Sequence, residues 1–201
     1  MQQAARFFSY LFHPLFAPLL CVFILFQLPV YLNYKLNSSF FLFVYAVVVI
    51  NLIVTPLLIS MHLKRRGIID SLTMPTAKQR VIPYLVSAIF YVFTYFLLVK
   101  VNFPVLYLSI FRASCAVVIL LLIASFFNFK ISAHLSGLGG IYGVLIVVSI
   151  VFNLDATFLL IVCTLIVGVV ASSRLILKAH TNLELLAGFI LGIGTQLSLL
   201  L

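Results

Sequence analysis

The sequence predicts an all-α, polytopic membrane bundle of about six to seven transmembrane helices. Three observations carry this. The 201-residue chain is 65% hydrophobic and only 7% charged, with a mean hydropathy of +1.34. Its apolar runs are long enough to cross a bilayer as helices. They are also continuous, whereas strands of a membrane barrel alternate apolar and polar residues. One integral membrane domain over residues 1–201 is expected.

The first span is expected over about 7–30, with a kink where His13, Pro14 and Pro18 interrupt it. The second covers about 40–60 and carries Asn51 and Pro56. A polar loop follows with Lys64, Arg65, Arg66, Gly67, Asp70, Pro75, Lys78, Gln79 and Arg80. The third runs over about 81–101, where Pro83 falls in a first turn that tolerates it. Asn102, Phe103 and Pro104 turn the chain into the fourth, which ends near Phe127 and contains Arg112. An arginine inside the bilayer costs about 2.5–3.5 kcal/mol on insertion scales. Arg112 therefore reads as a structural residue that snorkels, or the helix starts close to it. The fifth span opens at Lys130–His134, followed by Gly137, Gly139, Gly140 and Gly143. The sixth covers about 157–171. The seventh starts near Leu185 and contains Gly188 and Gly192. Both Gly139/Gly143 and Gly188/Gly192 are spaced for close helix approach.

Cys21, Cys115 and Cys163 all lie in apolar segments and read as small hydrophobes with no disulfide framework. The net charge of +9 has no soluble domain to display it. No nucleic-acid partner is expected; membrane lipids or a phosphate-bearing substrate are the expected partners. Oligomeric state is not legible. Asp and Glu total three, and no His-Glu-x-x-His pattern occurs, so no metal and no cofactor are expected.

The most informative window is 173–184, which gathers Ser173, Arg174, Lys178, His180 and Glu184 between two apolar runs. His180 and Glu184 are four apart, so the carboxylate can reach the imidazole. Arg174 can hold an anion beside that ring. Crossing parity adds a second constraint. Counting from the 62–80 loop, spans three and four return the chain to the same side at Lys130 and His134. Spans five and six return it again at 174–184. Eight of the twelve basic residues fall in these three clusters. The positive-inside rule favours a cytoplasmic face for that side, since Lys35 and Lys100 are outnumbered on the other, but Lys78, Arg80 and Arg174 can be there for phosphate instead, so the orientation stays open. His13 and His62 read as packing or interfacial residues.

These clusters resemble the type 2 phosphatidic acid phosphatases. The family's third motif is Ser-Arg, five residues, His, three residues, Asp. Ser173, Arg174, His180 and Glu184 match that spacing, with Glu for Asp. Ser132-Ala133-His134 is similar to the second motif, Ser-Gly-His. The first motif, Lys, six residues, Arg-Pro, does not occur in that form; Lys78-Gln79-Arg80 with Pro83 looks like a contraction of it. The resemblance spans about 70–195 and implies a phosphatase-like core. It implies a membrane-embedded, metal-independent lipid phosphatase or pyrophosphatase acting on an isoprenoid or glycerolipid (pyro)phosphate. His180 would be the nucleophile that becomes phosphohistidine. Glu184 would orient it, and His134 would protonate the leaving oxygen. Lys78, Arg80, Arg174 and Ser132 would bind phosphate. A bacterial inner membrane is the implied location. The competing expectation is a catalytically silent relative, lipid-binding or a subunit of a membrane complex. A transporter is disfavoured, because paired charges within the spans are lacking.

Overall fold

Residues 1–34 and 36–200 are described by the computed structural model; Lys35, used above in the charge count, lies outside them. Among the described residues there are ten α-helices and no strand. They are α1 (Gln2–Leu11), α2 (Ala17–Gln27), the single turn α3 (Tyr31–Tyr34), α4 (Ser38–Val48) and α5 (Thr55–Arg65). Then come α6 (Ala77–Lys100), α7 (Val105–Phe126), α8 (Ala133–Phe152), α9 (Thr157–Ile176) and α10 (Asn182–Leu200). Among the described residues, seven helical stretches are long and apolar enough to cross a membrane: 2–27, 38–65, 77–100, 105–126, 133–152, 157–176 and 182–200. The chain is accordingly an integral membrane protein. Many large apolar side chains lie exposed along these spans, such as Phe93, Phe96, Ile161 and Leu165, as a lipid-facing surface requires.

The first and second spans are both interrupted. Between α1 and α2 a 3₁₀ turn occupies Pro14–Phe16, capped by His13. Pro14 has no N–H to give to an α-helical ladder, so the chain tightens there. Between α4 and α5 a π-helical turn covers Val49–Val54. The Pro56 ring would press on the Leu52 carbonyl in a regular helix, and the wider π turn relieves that clash. The Thr55 hydroxyl then donates to the Ile50 carbonyl at 2.8 Å.

Two expectations differ in detail. Helix α6 starts at Ala77, with Thr76 in extended conformation before it. Pro83 is thus its seventh residue rather than part of a first turn. The chain enters α6 from extended Thr76, and Pro83 is carried inside the helix. Helix α7 starts at Val105, so it does not begin near Arg112, which sits exposed two turns in.

The helices form two compact units, Met1–Ala17 with the chain from Lys130 onward, and Pro18–Phe129. In the second unit, Asn51 Nδ2 donates to Thr94 Oγ1 at 3.2 Å in a buried setting. The Tyr107 hydroxyl donates to Asn33 Oδ1 at 2.7 Å. Phe26, Phe103 and Tyr107 pack as an aromatic cluster. Lys78 and Arg80 lie in the first turn of α6.

The first unit is built around α8 and α10. Both begin at the same end, where the Ser132 amide donates to the Glu184 carbonyl at 3.1 Å. They run parallel in register, Gly188 against Ser132 and Leu135, Gly192 against Ser136, Gly139 and Gly140. Gly143 faces Ile193 and Gln196. The two glycine pairs therefore pack against each other's helix, and backbone fills the space they open. Leu135, Leu138, Val170 and Leu185 form the core beside them, with Phe12 and Phe189 against it.

Candidate functional site

Helix α9 ends immediately before the site, and its ending aims the next residues. The Ala179 amide donates to the Arg174 carbonyl at 3.0 Å and the Lys178 amide to the Leu175 carbonyl at 2.9 Å. Lys178 itself has φ 50°. This is a Schellman closure with a left-handed residue, a place glycine normally takes. The 127–132 linker closes the same way. There Asn128 has φ 58°, and the Phe129 amide donates to the Ala124 carbonyl at 2.9 Å. Just past that turn, Lys130 Nζ donates to the Ala179 carbonyl at 2.7 Å. The second and third polar clusters thus share one end of this unit, as crossing parity requires.

Helix α10 then starts with a capping box. The Glu184 amide donates to Thr181 Oγ1 at 3.3 Å, and the Thr181 amide donates to Glu184 Oε2 at 3.4 Å. Thr181-x-x-Glu184 is the sequence signature of that motif, a signal not read from the sequence beside the His180–Glu184 spacing. The same Oε2 lies 2.6 Å from His180 Nδ1. A carboxylate oxygen only accepts, so Nδ1 carries the proton, and a neutral ring then holds its lone pair on Nε2. The His180 side chain is 1% exposed and that of Glu184 20%. Glu184 is therefore held in place by the helix start while it fixes the imidazole tautomer.

His134, in the first turn of α8, is buried. Its Nε2 lies 3.1 Å from the Ser9 carbonyl. The carbonyl can only accept, so Nε2–H donates and the lone pair of the neutral ring lies on Nδ1. Arg174 and His180 both lie within electrostatic reach of His134. Ser132 Oγ is wholly buried and has no hydrogen-bond partner. Ser173, by contrast, turns its hydroxyl back to the Val169 carbonyl at 2.7 Å. His134, His180, Glu184, Arg174 and Ser132 are thus brought together within one unit.

Two residues of the cluster were not expected. The His13 ring stands 5.5 Å from that of His134, edge to face, and Arg174 acts on it electrostatically. Ser9 supplies the carbonyl to His134 and keeps a buried hydroxyl without a partner. The proline-broken helix places them there. His13-Pro14 was readable as a kink, but nothing in the sequence said which residues would face it.

Lys78 and Arg80 belong to the other unit. Lys78 is exposed. Arg80 is buried and its Nε donates to the Met74 carbonyl at 3.1 Å, with the Tyr84 hydroxyl also hydrogen-bonded to its side chain. Gln79 Nε2 donates to Asp70 Oδ2 at 2.5 Å. The contracted first motif therefore ties the polar loop to α6. Among the described residues, no three His, Cys, Asp or Glu side chains gather as a metal site. In comparisons with family models, curated proteins and solved structures, the chain matches none.

Proposed function

We propose that the chain is a membrane-embedded lipid phosphatase or pyrophosphatase that works through a phosphohistidine on His180, without a metal. The observation that carries this reading is the 2.6 Å contact between His180 Nδ1 and Glu184 Oε2. It leaves the lone pair on Nε2, the atom that attacks phosphorus. Arg174 and His180 both lie within electrostatic reach of His134; Arg174 offers an anion ligand and His134 a proton carrier, and the buried Ser132 hydroxyl two residues before His134 is a further donor. Such a donor set stabilises charge that grows on phosphoryl oxygens in the transition state.

In the first step the His180 Nε2 lone pair forms the N–P bond as the ester P–O bond breaks. His134 enters this step as an imidazolium, with Nε2–H on the Ser9 carbonyl, and its Nδ1–H passes to the leaving oxygen. The Glu184 carboxylate stabilises the imidazolium character that develops on His180. In the second step His134 Nδ1 accepts a proton from water, and the hydroxyl oxygen bonds to phosphorus as the N–P bond breaks. His180 is restored and inorganic phosphate leaves.

A polyisoprenoid or glycerolipid phosphate suits a site at helix ends in a membrane protein. A bacterial inner membrane is the proposed location. The exposed Lys64, Arg65 and Arg66 favour a cytoplasmic face for that side. The second reading, a silent lipid-binding relative, draws on Arg80, whose Nε is engaged by the Met74 carbonyl. Phosphate release by the purified full chain from a panel of lipid mono- and diphosphates separates the two. Turnover that persists in chelator and is blocked by vanadate is expected. Absence of turnover on every substrate favours the silent relative, and strict dependence on a divalent ion contradicts the metal-free chemistry.

A further inference from the structure

His13 lies outside all three motifs of the resemblance, yet it stands in the same cluster. Its Nδ1 accepts the Leu15 amide at 3.3 Å. A neutral ring in that arrangement carries its proton on Nε2, which makes Nε2 a donor. The ring is 5.5 Å from His134 and within electrostatic reach of Arg174. One turn earlier, the Ser9 hydroxyl is buried and unpartnered, as is that of Ser132. A buried hydroxyl with no partner costs about 1–3 kcal/mol. These two hydroxyls and the Nε2–H of His13, in one unit of the fold, are donors that call for acceptor oxygens. A tetrahedral oxyanion supplies them.

We propose that the Ser9–His13 segment is a wall of the phosphoryl-binding site, with His13 Nε2–H and Ser9 Oγ–H donating to oxygens of the group that Arg174 holds. The inference rests on the phosphate reading of Arg174 and extends it to the broken first helix. The 3₁₀ turn then has a use: it carries His13 to the site while its cap fixes which ring nitrogen can donate.

Capping and binding are separable by substitution. His13→Asn keeps a side-chain oxygen for the Leu15 amide, since asparagine is a strong cap, but its shorter side chain cannot place a donor where Nε2 stands. His13→Phe keeps the ring against His134 and removes both nitrogens. The probe is orthovanadate titrated into the detergent-purified full chain, read as the shift in thermal unfolding temperature. Wild type is expected to show saturable stabilisation. Both His13 variants are expected to need roughly tenfold more vanadate, the worth of one donor to a charged group, and Ser9→Ala several-fold more. Unliganded His13→Asn is expected to melt as wild type does. Should His13→Phe fail to fold, His13→Asn decides alone. Unchanged vanadate affinity in a folded His13 variant, or no saturable binding by wild type, overturns the proposal. His13-dependent vanadate binding without turnover on any lipid phosphate sinks the enzyme reading and leaves this one standing.

Discussion

Glu184 Oε2 serves two partners at once, the Nδ1 of His180 at 2.6 Å and the backbone amide of Thr181 at 3.4 Å. One carboxylate both starts α10 and fixes the tautomer of the ring beside it. Substitutions at 184 therefore separate folding from chemistry. Glu184→Gln keeps a capping-box acceptor and is expected to melt within a few degrees of wild type. It removes the charge that stabilises an imidazolium, so turnover is expected to fall by about 10²-fold. Glu184→Ala is expected to lose both. Equal turnover in Gln and wild type would assign Glu184 to capping alone.

The α8–α10 contact is set by glycine. A Cβ at Gly192 would meet the Ser136 carbonyl, with the Gly140 amide nitrogen at 2.5 Å and the Gly139 carbonyl carbon at 2.8 Å. All three are backbone, which cannot swing aside. Gly192→Ala is expected to destabilise by about 2–3 kcal/mol through overpacking. Gly194→Ala is the control, with nothing within 4 Å of the added carbon. It is expected to leave stability unchanged or raise it by about 0.5–1 kcal/mol. Thermal or denaturant unfolding in detergent compares the pair.

Lys178 pays a conformational cost at φ 50° to turn the chain toward His180. Lys178→Gly is expected to relieve about 1 kcal/mol of strain and raise the melting temperature. Its side chain is exposed and has no assigned part in the chemistry, so turnover is expected to stay within about twofold of wild type. A lower melting temperature would show that the lysine side chain matters more than its backbone.

Lys130 pins the loop before His180 by donating to the Ala179 carbonyl at 2.7 Å. Lys130→Met retains the aliphatic stem and removes the ammonium. A loss of about 1.5–3 kcal/mol is expected, as for a hydrogen bond to a charged group. Hydrogen exchange should rise at 177–181 and not in the middle of α9. Unchanged exchange there would remove Lys130 from the loop's support.

Sequence periodicity located all seven spans, because long apolar runs between polar turns leave few alternatives. It placed boundaries less well. Helix α6 begins four residues before the expected start, after extended Thr76, and takes Pro83 into its interior. The His180–Glu184 pair was legible because it is local, four residues apart, but not as one helix face: His180 precedes α10, which starts at Asn182, and the capping turn brings Glu184 back to the ring. The clustering of His134 with His180 was legible through parity. His13 was not, because its place depends on how a proline-broken helix packs, and that is a tertiary matter. The role of Arg80 was similarly hidden: its partners, the Met74 carbonyl and Tyr84, are not announced by any spacing.

The most direct measurement is capture of the covalent intermediate. The purified full chain is mixed with a ³²P-labelled lipid phosphate and quenched in base, where phosphohistidine survives and acyl phosphate does not. Label is expected on the peptide containing His180. It is expected to be absent from His180→Ala. In His134→Ala label is expected to accumulate, because water then attacks the N–P bond without a base, provided the substrate is a diphosphate with a good leaving group. Wild-type turnover in His180→Ala, or label on another residue, would contradict the central claim.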